Sequence, residues 1–234
     1  MRLRRLVPAV LALVVALVVG AGVVGAAGPM SVYEVTITNR TMGQPLTPPA
    51  LTTHSPSVHV FQVGQRASVG VQQIAENGNL APLMAALMAG KNVDDVVKGS
   101  GPVLPGQSVT LRITAYPGAR RLSAVSMLVC TNDGFTGIDA LRLPKFVGDW
   151  VSGNLAAYDA GTERNTEDFN DLVPPCPVMT GVTTTKPGTG MSNPALAEGG
   201  RIWMHPGVAG VSDLQPALHG WMGPVASIVV RRVE

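Results

Sequence analysis

The chain has 234 residues, 46% of them hydrophobic and only 14% charged, with 17 Lys plus Arg against 15 Asp plus Glu. Arg2, Arg4 and Arg5 lie at the very start; without them fourteen basic residues face fifteen acids, a net charge of −1. There is no basic tract with interleaved aromatics, so the attraction to phosphates that nucleic-acid binding chiefly requires is missing, and nucleic acid is excluded as a partner class.

Residues 1–27 read as a signal peptide. The three arginines form a basic start, an apolar run extends from Leu6 through Val24, and Gly25, Ala26 and Ala27 offer a cleavage site. The run, about 18 residues, is also long enough to span a bilayer, so an uncleaved leader would act as an anchor and is the one route to a membrane. Residues 31–234 are then expected to form one domain, because about 205 residues suffice for a single all-β core.

The mature chain reads as short strands. Tyr33, Val35 and Ile37 alternate with Glu34, Thr36 and Thr38, and Val109, Leu111 and Ile113 alternate with Thr110, Arg112 and Thr114. Period two places one face in the core and one in water. Further strands are expected at 58–63, 67–74, 122–130, 202–205 and 225–233, punctuated by 19 Pro and 27 Gly. The segment from Asn79 to Gly90 differs: Leu80, Leu83, Met84, Leu87 and Met88 share a helical face, Asn79 is placed to cap it and Gly90 to end it. One short helix is expected there, its apolar stripe belonging to the core. Residues 144–155 and 173–200 read as long connections.

Two glycine-kinked segments carry hard oxygen donors: Thr131-Asn132-Asp133-Gly134-Phe135-Thr136-Gly137-Ile138-Asp139 and Tyr158-Asp159-Ala160-Gly161-Thr162-Glu163-Arg164-Asn165. Calcium takes six to eight oxygens at flexible geometry, from carboxylates, amides and carbonyls, so together the segments read as two loops of a calcium site. Asp159, Glu163, Glu167, Asp168 and Asp171 crowd within 13 positions, a repulsion that a cation or solvent must screen. Asn132 and Asn165 could add amide oxygens, although Asn in turns ordinarily serves backbone hydrogen bonds. Asp139 is either a further ligand or an acid paired with a neighbouring loop, the second reading being preferred.

The two cysteines, Cys130 beside the first loop and Cys176 after the second, would staple both loops if joined; two separate thiols are the alternative, and export favours the bond. The four histidines, His54, His59, His205 and His219, match no zinc-binding spacing. There is no Gly-x-Ser-x-Gly elbow, phosphate-binding loop or dinucleotide fingerprint, so the chain is read as a non-enzyme.

The runs Ser126-Met127-Leu128-Val129, Asn132-Asp133-Gly134-Phe135, Gly137-Ile138-Asp139 and Tyr158-Asp159-Ala160-Gly161-Thr162-Glu163 resemble the spondin domain, the amino-terminal module of F-spondin and mindin that bacterial secreted proteins also carry. Tyr33 to Thr38, Thr53-His54-Ser55-Pro56, Ala75-Glu76-Asn77-Gly78 and His205-Pro206-Gly207 fit the bacterial form. The resemblance implies an all-β, C2-like antiparallel β-sandwich with long metal-binding loops. It also implies Asp133, Asp159 and Glu163 as calcium ligands, with Glu163 standing where the animal pattern has Asp, and adds His205 as a further candidate. The function expected is an exported calcium-binding module acting in binding or adhesion to an extracellular or envelope macromolecule. The alternatives are a metal-dependent hydrolase using the same acids and His205, and a structural envelope protein.

Overall fold

In the amino-terminal strand, Ser31–Asn39 (β1), the side chains of Tyr33, Val35 and Ile37 are buried and their neighbours partly wet, as the alternation requires. The structure, a computed structural model, describes residues 29–234, so the leader read at residues 1–27 lies outside the described residues. Beyond β1 the strands are Ala50–His54 (β2), Val93–Lys98 (β3), Ser108–Ala115 (β4), Arg121–Met127 (β5), Gly134–Arg142 (β6), Trp150–Asp159 (β7), Trp203–Met204 (β8) and Ala226–Arg232 (β9). All pair antiparallel, in the order β3-β2-β5-β6-β7-β9-β1-β4, with β8 on the edge of β7.

The sheet folds over on itself at β7. Its first half, Trp150 to Leu155, pairs with β9, while Gly134 to Gly137 of β6 pair with its second half, Ala156 to Asp159. One strand therefore belongs to both layers, and the core between the layers holds Val35, Ile37, Leu51, Ile113, Leu122, Leu128, Ile228 and Val230. A second core lies on the other side of β2 and β5, where Ala50, Val125, Met127 and Phe135 pack with Phe61, Ile74, Leu83, Phe169 and Leu172. Both faces of β2 and β5 are thus covered, which is why every residue of β2 and six of the seven in β5 are buried.

The cover comes from helices, and here the structure corrects the expectation of one. Among the described residues there are four α-helices: Val69–Asn77 (α1), Ala81–Met88 (α2), Pro175–Thr180 (α3) and Pro216–His219 (α4). Residues 67–74, expected as a strand, enter α1. Ser68 caps it by accepting from the Val71 amide at 3.2 Å, Gly78 ends it at φ 64°, and Val71, Ile74 and Ala75 fall on one face at helical spacing. Residues 58–63 are irregular: Val60 and Phe61 are adjacent and both buried, which a strand with one wet face does not allow. The expected helix is α2, with Leu83 and Leu87 in the core and Met88 left in solvent. Gly70 lets the two helices meet, since a Cβ there would lie 2.7 Å from the Leu83 Cα. The connection read at 144–155 is shorter, because β7 already starts at Trp150.

Candidate metal centre

Gly134 opens β6 and faces Asp159, the last residue of β7, across the ladder, so this pairing brings the two glycine-kinked segments to one end of the sandwich. Gly134 has no room for a side chain, since a Cβ would collide with Thr131, whose hydroxyl accepts from the Gly134 amide at 2.9 Å. Gly161 sits at φ 69° with the Arg201 backbone where a Cβ would be, 2.5 Å away, so only glycine fits this turn.

The turn wraps a carboxylate. Asp133 is fully buried, and its Oδ2 accepts from the Thr162 amide at 2.7 Å, the Glu163 amide at 3.0 Å and the Thr162 hydroxyl at 3.1 Å. Its other oxygen, Oδ1, is buried and has no hydrogen-bond partner. Asp159 is steadied on both oxygens, by the Gly161 amide at 2.8 Å and the Asn165 side-chain amide at 2.7 Å. Asp133, Asp159 and Glu198 each bring a carboxylate oxygen within 4.8 Å of the others. Burial, followed by the neighbouring Asp159 charge, pushes the Asp133 carboxyl up to about 7, against the lowering effect of its hydrogen bonds from Glu163 and Thr162. Burial and then Asp159 also raise the Glu198 carboxyl.

Of the residues read from sequence, Asp133 and Asp159 therefore meet, and Glu163 enters differently. Its amide serves Asp133, while its buried carboxylate accepts from the Asn193 amide at 2.5 Å. Burial pushes that carboxyl up to about 7 despite the Asn193 bond, with Glu76, Asp133 and Asp171 adding in the same direction. Glu76 is buried on α1; Gln72 donates to one of its oxygens at 2.8 Å and the other has no partner. Asn132 has its carboxamide engaged with Thr166, accepting from the amide at 3.0 Å and donating to the hydroxyl at 3.2 Å. Asn165 holds Asp159 through its NH₂ group.

Asp139 is placed elsewhere, at a bulge of β6 where it binds the 55–60 loop: it accepts from the Val60 amide at 2.7 Å and pairs with His59 Nδ1 at 2.5 Å. His205 accepts from the Gly207 amide on Nδ1, packs edge-on against Trp221, and leaves Nε2 buried without a partner. Burial lowers its pKa, opposed by Asp159 and Glu167. Glu167 and Asp168, part of the acidic crowd, are absorbed locally. Glu167 accepts from the amides of Ala209, Gly210 and Val211, and Lys186 bridges Asp168 and Asp213 at 3.0 and 2.7 Å.

Cys130 and Cys176 form a disulfide, which ties the start of the first loop to α3. His219 lies against it, accepting from the Gln215 amide at 2.9 Å.

Sequence reasoning missed Glu198 and the buried Glu76. Glu198 arrives on a separate loop through the short pairing of Glu163 with Ala197, and only the adjacent Gly199-Gly200 hints at a constrained turn. No curated protein matches the chain. The model of the Spondin_N family matches residues 49–188, which takes in Asp133, Asp159, Glu163 and the disulfide, and with more than half of its length matched the chain belongs to the spondin amino-terminal domain family.

Proposed function

We propose that this domain is an exported calcium-binding module that acts by binding another macromolecule at or outside the cell envelope. Family membership and the disulfide both point to an extracellular protein. The observation that carries the metal reading is the buried, unpartnered Oδ1 of Asp133 beside the carboxylates of Asp159 and Glu198. A buried ionised oxygen without a partner is strongly unfavourable, and a hard cation is the partner that also removes the repulsion among the three acids. The donors are all oxygens, which suits calcium rather than zinc. Asp133, Asp159 and Glu198 would hold the ion, and the ion would supply positive charge that fixes the three loops against one another. The binding-module reading rests on the sequence, which carries no nucleophile elbow, phosphate-binding loop or dinucleotide fingerprint.

The test is thermal melting with and without metal. Calcium at about 100 times its Kd should stabilise by about 2.7 kcal/mol, zinc should not substitute, and Asp133→Asn should remove the shift. Calorimetry showing no calcium uptake by the parent protein would end the metal reading. Turnover of ester, glycoside or phosphoester substrates that disappears in His205→Ala would instead favour a metal-dependent hydrolase.

A further inference from the structure

At the far end of the sandwich the charge is reversed. β6 runs from Gly134 to Arg142 and β7 from Trp150 to Asp159, so Arg142 and Trp150 lie about 30 Å from the acidic loops at strand rise. There, a cavity of about 320 Å³ is lined by Arg120, Arg142, Lys145 and Arg232 together with Tyr33 and Tyr116, and no acidic residue lines it. Arg120, Arg142 and Lys145 have no carboxylate partner among the described residues, while Arg232 donates to the main-chain oxygen of the last residue, Glu234, at 2.8 Å. The acids on adjoining segments, Asp94, which accepts from the Tyr116 amide at 2.6 Å, and Asp149, do not line the cavity. Arg232 is held by the Lys145 carbonyl and the main-chain oxygen of Glu234, and Tyr33 donates to the Pro144 carbonyl at 3.2 Å, so the wall is built rather than loose.

Beside the cavity the 145–149 turn exposes Phe146, Val147 and, just beyond it, Trp150, each more than 60% accessible. Lys145 lies over the Phe146 ring at 5.1 Å. Apolar side chains in water next to unpaired cations are the pattern of a surface that meets the headgroup region of a bilayer, where rings enter the interface and cations meet phosphates. Ser31 also lines the cavity, and the apolar run Leu6 to Val24 of the sequence ends only a few positions before it.

We propose that this end docks on an anionic phospholipid surface, with a headgroup phosphate seated among Arg120, Arg142, Lys145 and Arg232 and with Phe146, Val147 and Trp150 in the interface. The contact needs no metal and is independent of the acidic end.

Exported protein in EDTA, mixed with phosphatidylglycerol-containing vesicles, should co-sediment with them and should remain in solution with pure phosphatidylcholine vesicles. Each removed cation should lower vesicle affinity about fivefold, so the exposed pair Arg120→Ala/Arg142→Ala should lose about twenty-fivefold while melting as the parent does. Phe146→Ser should weaken binding without changing its dependence on salt. Equal partition to both vesicle types, or full binding by the double variant, overturns the proposal. So does tight binding of glycerol phosphate by a protein that ignores the vesicles, which would make the cavity a site for a free phosphate ester.

Discussion

Asp133 holds one oxygen in a fan of three donors and the other in a buried space shared with two more carboxylates, and that arrangement sets its response to pH. Its carboxyl is raised from 3.8 to about 7 and that of Glu163 from 4.5 to about 7, burial being the main cause in each. A carboxyl that holds its proton more tightly folded than unfolded favours the fold below the ordinary value and loses that advantage as pH rises. In chelator, therefore, stability should fall between about pH 4 and 7, and Asp133→Asn should flatten the slope; a titration of melting temperature against pH reads both. Calcium should reverse the sign, because a bound cation favours the ionised form. A chelated protein whose stability rises through that window would contradict the buried placement of both acids. Asp133 and Asp159 are legible in the sequence because each comes at or after the end of strand-like sequence and shortly before a glycine, Gly134 or Gly161, that leaves no room for a side chain. Glu163 is legible as part of the turn, but not the direction of its carboxylate, which the Asn193 amide decides from another loop. Glu198 is exposed and remote in sequence, so no local pattern marks it.

Among the elements, β1, β4 and β9 are the easiest to read, because one wet face imposes strict alternation. α1 misleads for a physical reason: Ala67, Val69 and Val71 alternate with polar or small residues, and only the Ser68 cap and Gly78 stop, together with Ile74 and Ala75, favour a helix. The two-sided burial of β2 and β5 follows from covers contributed by distant segments, which strand periodicity does not report. The disulfide acts at this scale. It closes a loop with a sequence separation of 46, so in the chain-entropy picture its reduction should destabilise by about 4 kcal/mol. Since Cys130 directly precedes the Asp133 loop and Cys176 opens α3, reduced and alkylated protein should also bind calcium more weakly. Melting and calorimetry on the same sample test the pair of effects, and calcium affinity unchanged by reduction would show that packing alone positions the loops.

Over the whole molecule, the acidic and basic ends lie on opposite tips of the same strands, so a domain seated on a surface by Arg120 and Arg142 would present Asp133 and Asp159 outward. The position of β1 has a mechanical consequence. It lies between β4 and β9, with eight residue pairs on one side and seven on the other, and Ser31 at the basic end is close to the carboxyl-terminal Glu234. A force drawn between Ser31 and a partner gripping the acidic loops runs along β1 and loads both ladders in shear, all hydrogen bonds sharing the tension. A force drawn between the two termini instead peels β1 from β9 one bond at a time. Single-molecule pulling should therefore find a rupture force several-fold higher with handles at Ser31 and Arg164 than with handles at Ser31 and Glu234, and equal forces would show that the ladders do not bear the load. A module tethered at its amino terminus and held at its far tip would be strongest along the direction in which tension reaches it.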